Sequence, residues 1–93
     1  MEFIVDNFTF KDATTYSRDA AQRIPTSWEC TIGDLRIYVT CGHRDYKPNW
    51  IFHCFKLGFD SKQINAKTKE EAAKIAIGIC KNKIASLHKL LFT

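Results

Sequence analysis

From Trp28 to Cys41 apolar and polar residues alternate, with one interruption. Trp28, Cys30 and Ile32 alternate with Glu29 and Thr31, and Leu35, Ile37, Val39 and Cys41 alternate with Arg36, Tyr38 and Thr40, while Gly33-Asp34 stands between the runs. Successive side chains of a strand point to opposite faces, so each run places one apolar row on one face. Folded across a two-residue turn, Ile32 meets Leu35, Cys30 meets Ile37 and Trp28 meets Val39. Every apolar partner then shares a face, the agreement of register and pattern that specifies a hairpin.

A third strand is predicted over Trp50 to Leu57, which is apolar on both faces and therefore central or covered on both sides. Pairing Ile37 with Phe55 and Leu35 with Leu57 sends Ile51, Phe55 and Leu57 to the core. Trp50, Phe52, Cys54 and Lys56 then join Tyr38 and Arg36 on the other face, and a slip of one residue exchanges the two sets. Upstream, Glu2 to Phe10 reads as a strand, either one irregular strand or two very short ones joined at Asp6-Asn7. Asp12 is a candidate N-cap for a short helix carrying Ala13, Tyr16, Ala20 and Ile24, which Pro25 stops. Gly58 to Ala66 is mostly polar, with Gln63-Ile64-Asn65 a candidate edge strand. Thr68 and Glu71 then form a T-x-x-E capping box that opens a long helix, with Ala72, Ala76, Ile79, Cys80, Ile84, Leu87 and Leu91 down one side. The fold class that follows is α+β in one domain, residues 1–93. It is a three- to four-stranded antiparallel sheet with the C-terminal helix packed on one face, in the order β-α-β-β-β-α or α-β-β-β-α.

At 93 residues the chain closes one modest core and no cleft between subdomains. Its 45% hydrophobic content is too high for a disordered chain and too evenly spread for a membrane span. The apolar triplet Phe3-Ile4-Val5 sits between acids without a basic flank, which leads to the expectation of a cytoplasmic protein with no membrane association. Cys30, Cys41, Cys54 and Cys80 fall inside strand or helix patterns, as free buried thiols do, rather than in a loop-rich disulfide framework. The net charge of +4 favours anionic partners, and the asymmetry lies toward the C-terminus: from Lys62 onward seven lysines face only Glu70 and Glu71.

The pattern offers no catalytic constellation. Cys41 and His43 are a thiol and a base close in sequence, without an orienting third group or an oxyanion-hole motif. Phosphate-loop, dinucleotide and zinc-protease motifs are absent from the sequence. A zinc reading of Cys41, His43, His53 and Cys54 fails on geometry, because His53 and Cys54 are adjacent on a strand and point to opposite faces. The expectation is a non-enzymatic protein with no metal and no cofactor. Its candidate binding surface is the sheet face with Arg36, Tyr38, Trp50, Phe52 and Lys56, the loop with His43, Arg44 and Lys47, and the helix lysines Lys69 and Lys74, an aromatic and basic set suited to stacking bases or gripping a protein.

Gly42-His43 in the loop before Trp50, and Thr68 to Lys74 opening the last helix, give residues 12–91 a resemblance to the double-stranded-RNA-binding domain. The resemblance implies that the loop enters an RNA minor groove while Lys69 and Lys74 contact phosphates, with Glu70 and Glu71 between them. Three strands backed by a helix are also similar to the arm-binding DNA domains of tyrosine recombinases, which implies a DNA-facing surface of Arg36, Tyr38 and Lys56. The leading expectation is thus a nucleic-acid-binding module. The alternative is a small protein-binding inhibitor or adaptor of the mobile-element or phage type, such as an anti-CRISPR or other anti-defence protein, acting on a nuclease or nucleic-acid-handling complex.

Overall fold

The computed structural model describes residues 2–14, 25–42 and 49–92. Asp6 and Asn7 adopt φ of 50° and 68°, a left-handed geometry these two residue types tolerate, and so turn the chain tightly between β1 (Glu2–Val5) and β2 (Phe8–Asp12). The first segment is therefore a hairpin, the two-strand option. β3 (Ser27–Ile32) and β4 (Leu35–Gly42) form the second hairpin around Gly33, whose φ of 58° needs no Cβ to be accommodated. Its register is the one the alternation dictates: Ile32 opposite Leu35, Cys30 opposite Ile37, Trp28 opposite Val39.

β5 (Asn49–Cys54) and β6 (Phe59–Ile64) complete a six-stranded antiparallel sheet in sequence order, followed by α1 (Lys69–Leu91). The α+β class and the C-terminal helix match expectation, whereas the sheet holds six strands instead of three or four. Two corrections explain the difference. The β1/β2 hairpin pairs onto β3 through Lys11 opposite Glu29 and Asp12 opposite Trp28, so Asp12 closes a strand. Its carboxylate accepts the Thr14 N–H at 2.9 Å, and the helix expected from Ala13 to Ile24 lies, beyond Thr14, outside the described residues. The polar segment after Gly58 is a full strand, longer than the three-residue edge expected.

The short β2–β3 ladder is reinforced just beyond its end. Ala13 N–H donates to the Ser27 carbonyl at 2.9 Å, and the Thr14 hydroxyl accepts the N–H groups of Thr26 and Ser27 at 2.9 and 3.0 Å. The buried Ser27 hydroxyl meets Thr40 Oγ1 at 2.7 Å, so three consecutive strands share one polar joint.

The β4–β5 register differs by one residue from the expected pairing. Val39 faces Phe52, Cys41 faces Trp50 and Tyr38 faces His53. Trp50, Phe52 and Cys54 consequently point into the core, with Phe52 and Cys54 fully buried, and Ile51 and His53 point the other way. β5 also ends at Cys54. Phe55–Leu57 is a 3-10 turn closed by Gly58, whose N–H donates to the Phe55 carbonyl at 3.0 Å from a φ of 84°. The turn leaves Phe55 exposed while Leu57 packs on the core.

Small residues on α1 meet large ones on the sheet. Ala72, Ala73, Ala76, Ile77 and Cys80 are buried against a layer of Phe10, Trp28, Ile37, Val39, Trp50, Phe52 and Cys54. Thr68 caps the helix by accepting the Glu71 N–H at 3.1 Å, as the capping box requires. Burial along α1 stops at Cys80, and Ile84, Leu87 and Leu91, expected on the same stripe, are exposed.

Enlarging the alanine face should be costly even though apolar volume is added. Ala76→Leu is expected to destabilise the fold by about 1–3 kcal/mol through overpacking, and Phe52→Ala by about 3–5 kcal/mol through a cavity. Urea unfolding of both variants checks this; a neutral Phe52→Ala would show that the observed β4–β5 register is not the one in solution.

Candidate functional site

The helix covers one face of the sheet, and among the described residues no element packs over the other, the open face. Its central row runs Lys11, Glu29, Tyr38, His53 across β2 to β5, each residue opposite the next. Arg36 lies beside Glu29 on the neighbouring strand, and its Nε donates to Glu29 Oε2 at 2.6 Å. Around this row Tyr38, His53, Phe55 and Arg36 line a shallow cleft of ≈ 260 Å³.

A bulge builds the cleft. Between β5 and β6 the pairing shifts from Phe52–Lys62 to Cys54–Phe59, which leaves an extra residue on β6, and Ser61 there takes φ of 53°. The distortion aims the Ser61 N–H at His53 Nδ1, 3.0 Å away. The Asp60 carboxylate, 3.2 Å from the same nitrogen, is engaged by the Ser61 hydroxyl at 3.1 Å. With its ring fixed, His53 stacks on Phe55 at 5.6 Å and tilts against Tyr38 at 5.6 Å. Phe55 is 72% exposed and Tyr38 half-buried. An aromatic platform with a guanidinium on its rim suits flat or apolar groups.

The expected site residues are divided. Arg36 and Tyr38 lie on the open face, and Lys56 is exposed in the adjoining 3-10 turn. Trp50 and Phe52, expected beside them, are 5% and 0% exposed beneath α1, because the one-residue change of register turned their strand over. His53 and Phe55 occupy the open face in their place; the signal for them was the alternative register of the same doubly apolar run. Lys69 and Lys74 belong to the helix side. Lys69 Nζ sits 5.4 Å from the rings of both Phe3 and Trp28, a cation–π packing that secures the start of α1 over the sheet. Lys74 is exposed. A single ligand on the open face therefore does not touch the helix lysines. His43, Arg44 and Lys47 lie outside the described residues.

The thiols form no reactive centre among the described residues. All four cysteines are free, and Cys30, Cys54 and Cys80 are buried. Burial pushes the Cys80 thiol up from its usual 9.0 to about 12, with the neighbouring Cys54 thiol, to which it is hydrogen-bonded, adding to the shift. Burial also raises Cys30 and Cys41. A raised pKa means less thiolate at neutral pH, the opposite of what a nucleophile needs. His53 and Cys54 point to opposite faces, and no group of three metal-ligating side chains occurs among the described residues. Among those residues, too, no helix is long and apolar enough to cross a membrane.

Searches against protein-family models, curated proteins and solved structures return no match.

The Cys80 shift has a pH signature. The folded state holds the thiol proton more tightly than the unfolded one, so this stabilisation is complete below pH 9.0 and is lost as pH rises toward about 12. Across that window the melting temperature of the native chain should fall more steeply than that of Cys80→Ala; parallel curves would mean that Cys80 is not buried beside Cys54.

Proposed function

We propose that the protein is a non-enzymatic binding module that engages a protein partner, as an inhibitor or adaptor, through the open face of its sheet. The observation that carries this reading is the Tyr38–His53–Phe55 cluster, held outward by a bulge whose N–H fixes the histidine ring. Phe55, 72% exposed, lines the cleft, and Ile4, at 68%, adds apolar surface on the same face. Exposed aromatic anchors with a neighbouring arginine are the usual centres of binding energy in protein interfaces.

Charge favours a protein over a nucleic-acid backbone on this face. Lys11 stands between Glu2 and Glu29 in the register, and Arg36 is paired with Glu29. The described residues of the open face thus alternate in sign, whereas phosphate binding needs cations in excess. The lysines of α1 support the nucleic-acid reading instead, from the opposite side of the sheet. The dyad Arg36–Glu29 would sit at the rim, where it orients a partner more than it adds affinity.

The test compares two ligand classes with two variants. Affinity capture with the native chain and with Phe55→Ala as matched baits should retain a protein that Phe55→Ala or Tyr38→Ala loses, each substitution costing more than about 1 kcal/mol of binding while leaving the melting temperature within a few degrees. Fluorescence anisotropy with labelled duplex RNA, duplex DNA and single strands should show little binding that survives at about 0.2 M salt. Salt-resistant nucleic-acid binding abolished by Phe55→Ala would replace the protein reading with base stacking on the same platform.

A further inference from the structure

The sheet uses only the first half of α1. At 23 residues the helix spans about 34 Å, and its buried positions end at Cys80, after which every described residue through Phe92 is exposed. The apolar pattern does not end there. Ala73, Ile77, Cys80, Ile84, Leu87 and Leu91 recur at alternating intervals of four and three, the spacing of a coiled-coil seam. One continuous seam is thus filled by the sheet along Ala73, Ile77 and Cys80 and bare along Ile84, Leu87 and Leu91, which are 43%, 39% and 78% exposed.

The charges beside the bare seam define what fits it. Residues 72–92 contain Lys74, Lys81, Lys83 and Lys89 and no aspartate or glutamate. In heptad terms Lys74, Lys81 and His88 flank the seam on one side and Lys83 on the other. These are the positions that choose the partner in helix pairing, and a copy of the same helix would bring lysine toward lysine and histidine. On the Lys83 side Leu90, 74% exposed, widens the apolar strip, while Asn82, Ser86 and Lys89 lie away from the seam in heptad terms.

We infer that the overhanging half of α1 is a docking helix for an acidic amphipathic helix of a partner protein, which continues the seam over Ile84, Leu87 and Leu91 and places carboxylates against Lys81 and Lys83. This surface is separate from the open sheet face and does not depend on it. Docking by a triad at i, i+3 and i+7 is an established mode of helix recognition.

The probe is a labelled synthetic three-heptad peptide with leucine along the seam and glutamate in the flanking positions, paired with a control carrying lysine in those positions. Anisotropy titration of the full chain should show binding of the glutamate peptide that weakens with salt, and none of the lysine peptide. Leu87→Asp should weaken it by about tenfold or more, the effect of losing one anchor, at an unchanged melting temperature. The double variant Lys81→Glu, Lys83→Glu should exchange the preference between peptides, and Phe55→Ala should leave it intact, which separates this surface from the open face. The inference is overturned if both peptides bind equally, or if Leu87→Asp binds as the native chain does. It is equally overturned if sedimentation reveals a dimer that Leu87→Asp dissociates, or if vesicles of anionic lipid take up the chain in preference to the peptide.

Discussion

The contact between the alanine face of α1 and the aromatic face of the sheet decides most of what this molecule presents to its surroundings. Ala72, Ala73 and Ala76 have no side chain beyond Cβ, so the helix backbone settles close over Phe10, Trp28, Trp50 and Phe52. Volume is conserved across the interface by placing nearly all of it on one side. Cys54 and Cys80 fill the remaining space as a hydrogen-bonded thiol pair. Once Trp50 and Phe52 are committed to this layer, the alternation of β5 forces Ile51 and His53 outward, and the open face acquires its histidine.

The two surfaces left over differ in chemistry for that same reason. On the open face, charges alternate along the register and the aromatic cluster supplies the distinguishing feature, ordered by the Ser61 bulge. On the helix side the lysines lie off the packed stripe, and beyond Cys80 they flank an apolar seam with nothing packed on it among the described residues. Lys69 is an instructive intermediate. It carries the charge of a phosphate contact but spends it over the rings of Phe3 and Trp28, where it steadies the first turn of the helix.

Much of the architecture was legible from residues alone because local chemistry and pattern agree at those places. The β3–β4 hairpin follows from alternation around Gly33, and the start of α1 from Thr68 and Glu71. The site was less legible. Trp50 to Leu57 is apolar on both faces, and its two polar residues, His53 and Lys56, fall in opposite alternating sets, so neither fixes which set is buried and a one-residue slip leaves the burial of apolar side chains nearly unchanged. β6 was obscured because its central residues Asp60, Ser61, Lys62 and Gln63 are exposed, and an edge strand with little apolar content resembles a loop.

What the sequence determined by itself is therefore the α+β class, the central hairpin with its register, the capped C-terminal helix and the free state of the cysteines. Each rests on interactions between residues near one another in the chain: period-two alternation, turn geometry, an N-cap bond. Only the tertiary structure decided the face of β5, the bulge that orients His53, the burial of Trp50 and Phe52, and the point along α1 where packing stops. Those depend on how far a sheet of this width reaches under a helix of this length, and on which of two nearly equivalent apolar faces the alanines of α1 fit, and neither quantity is encoded in any single segment.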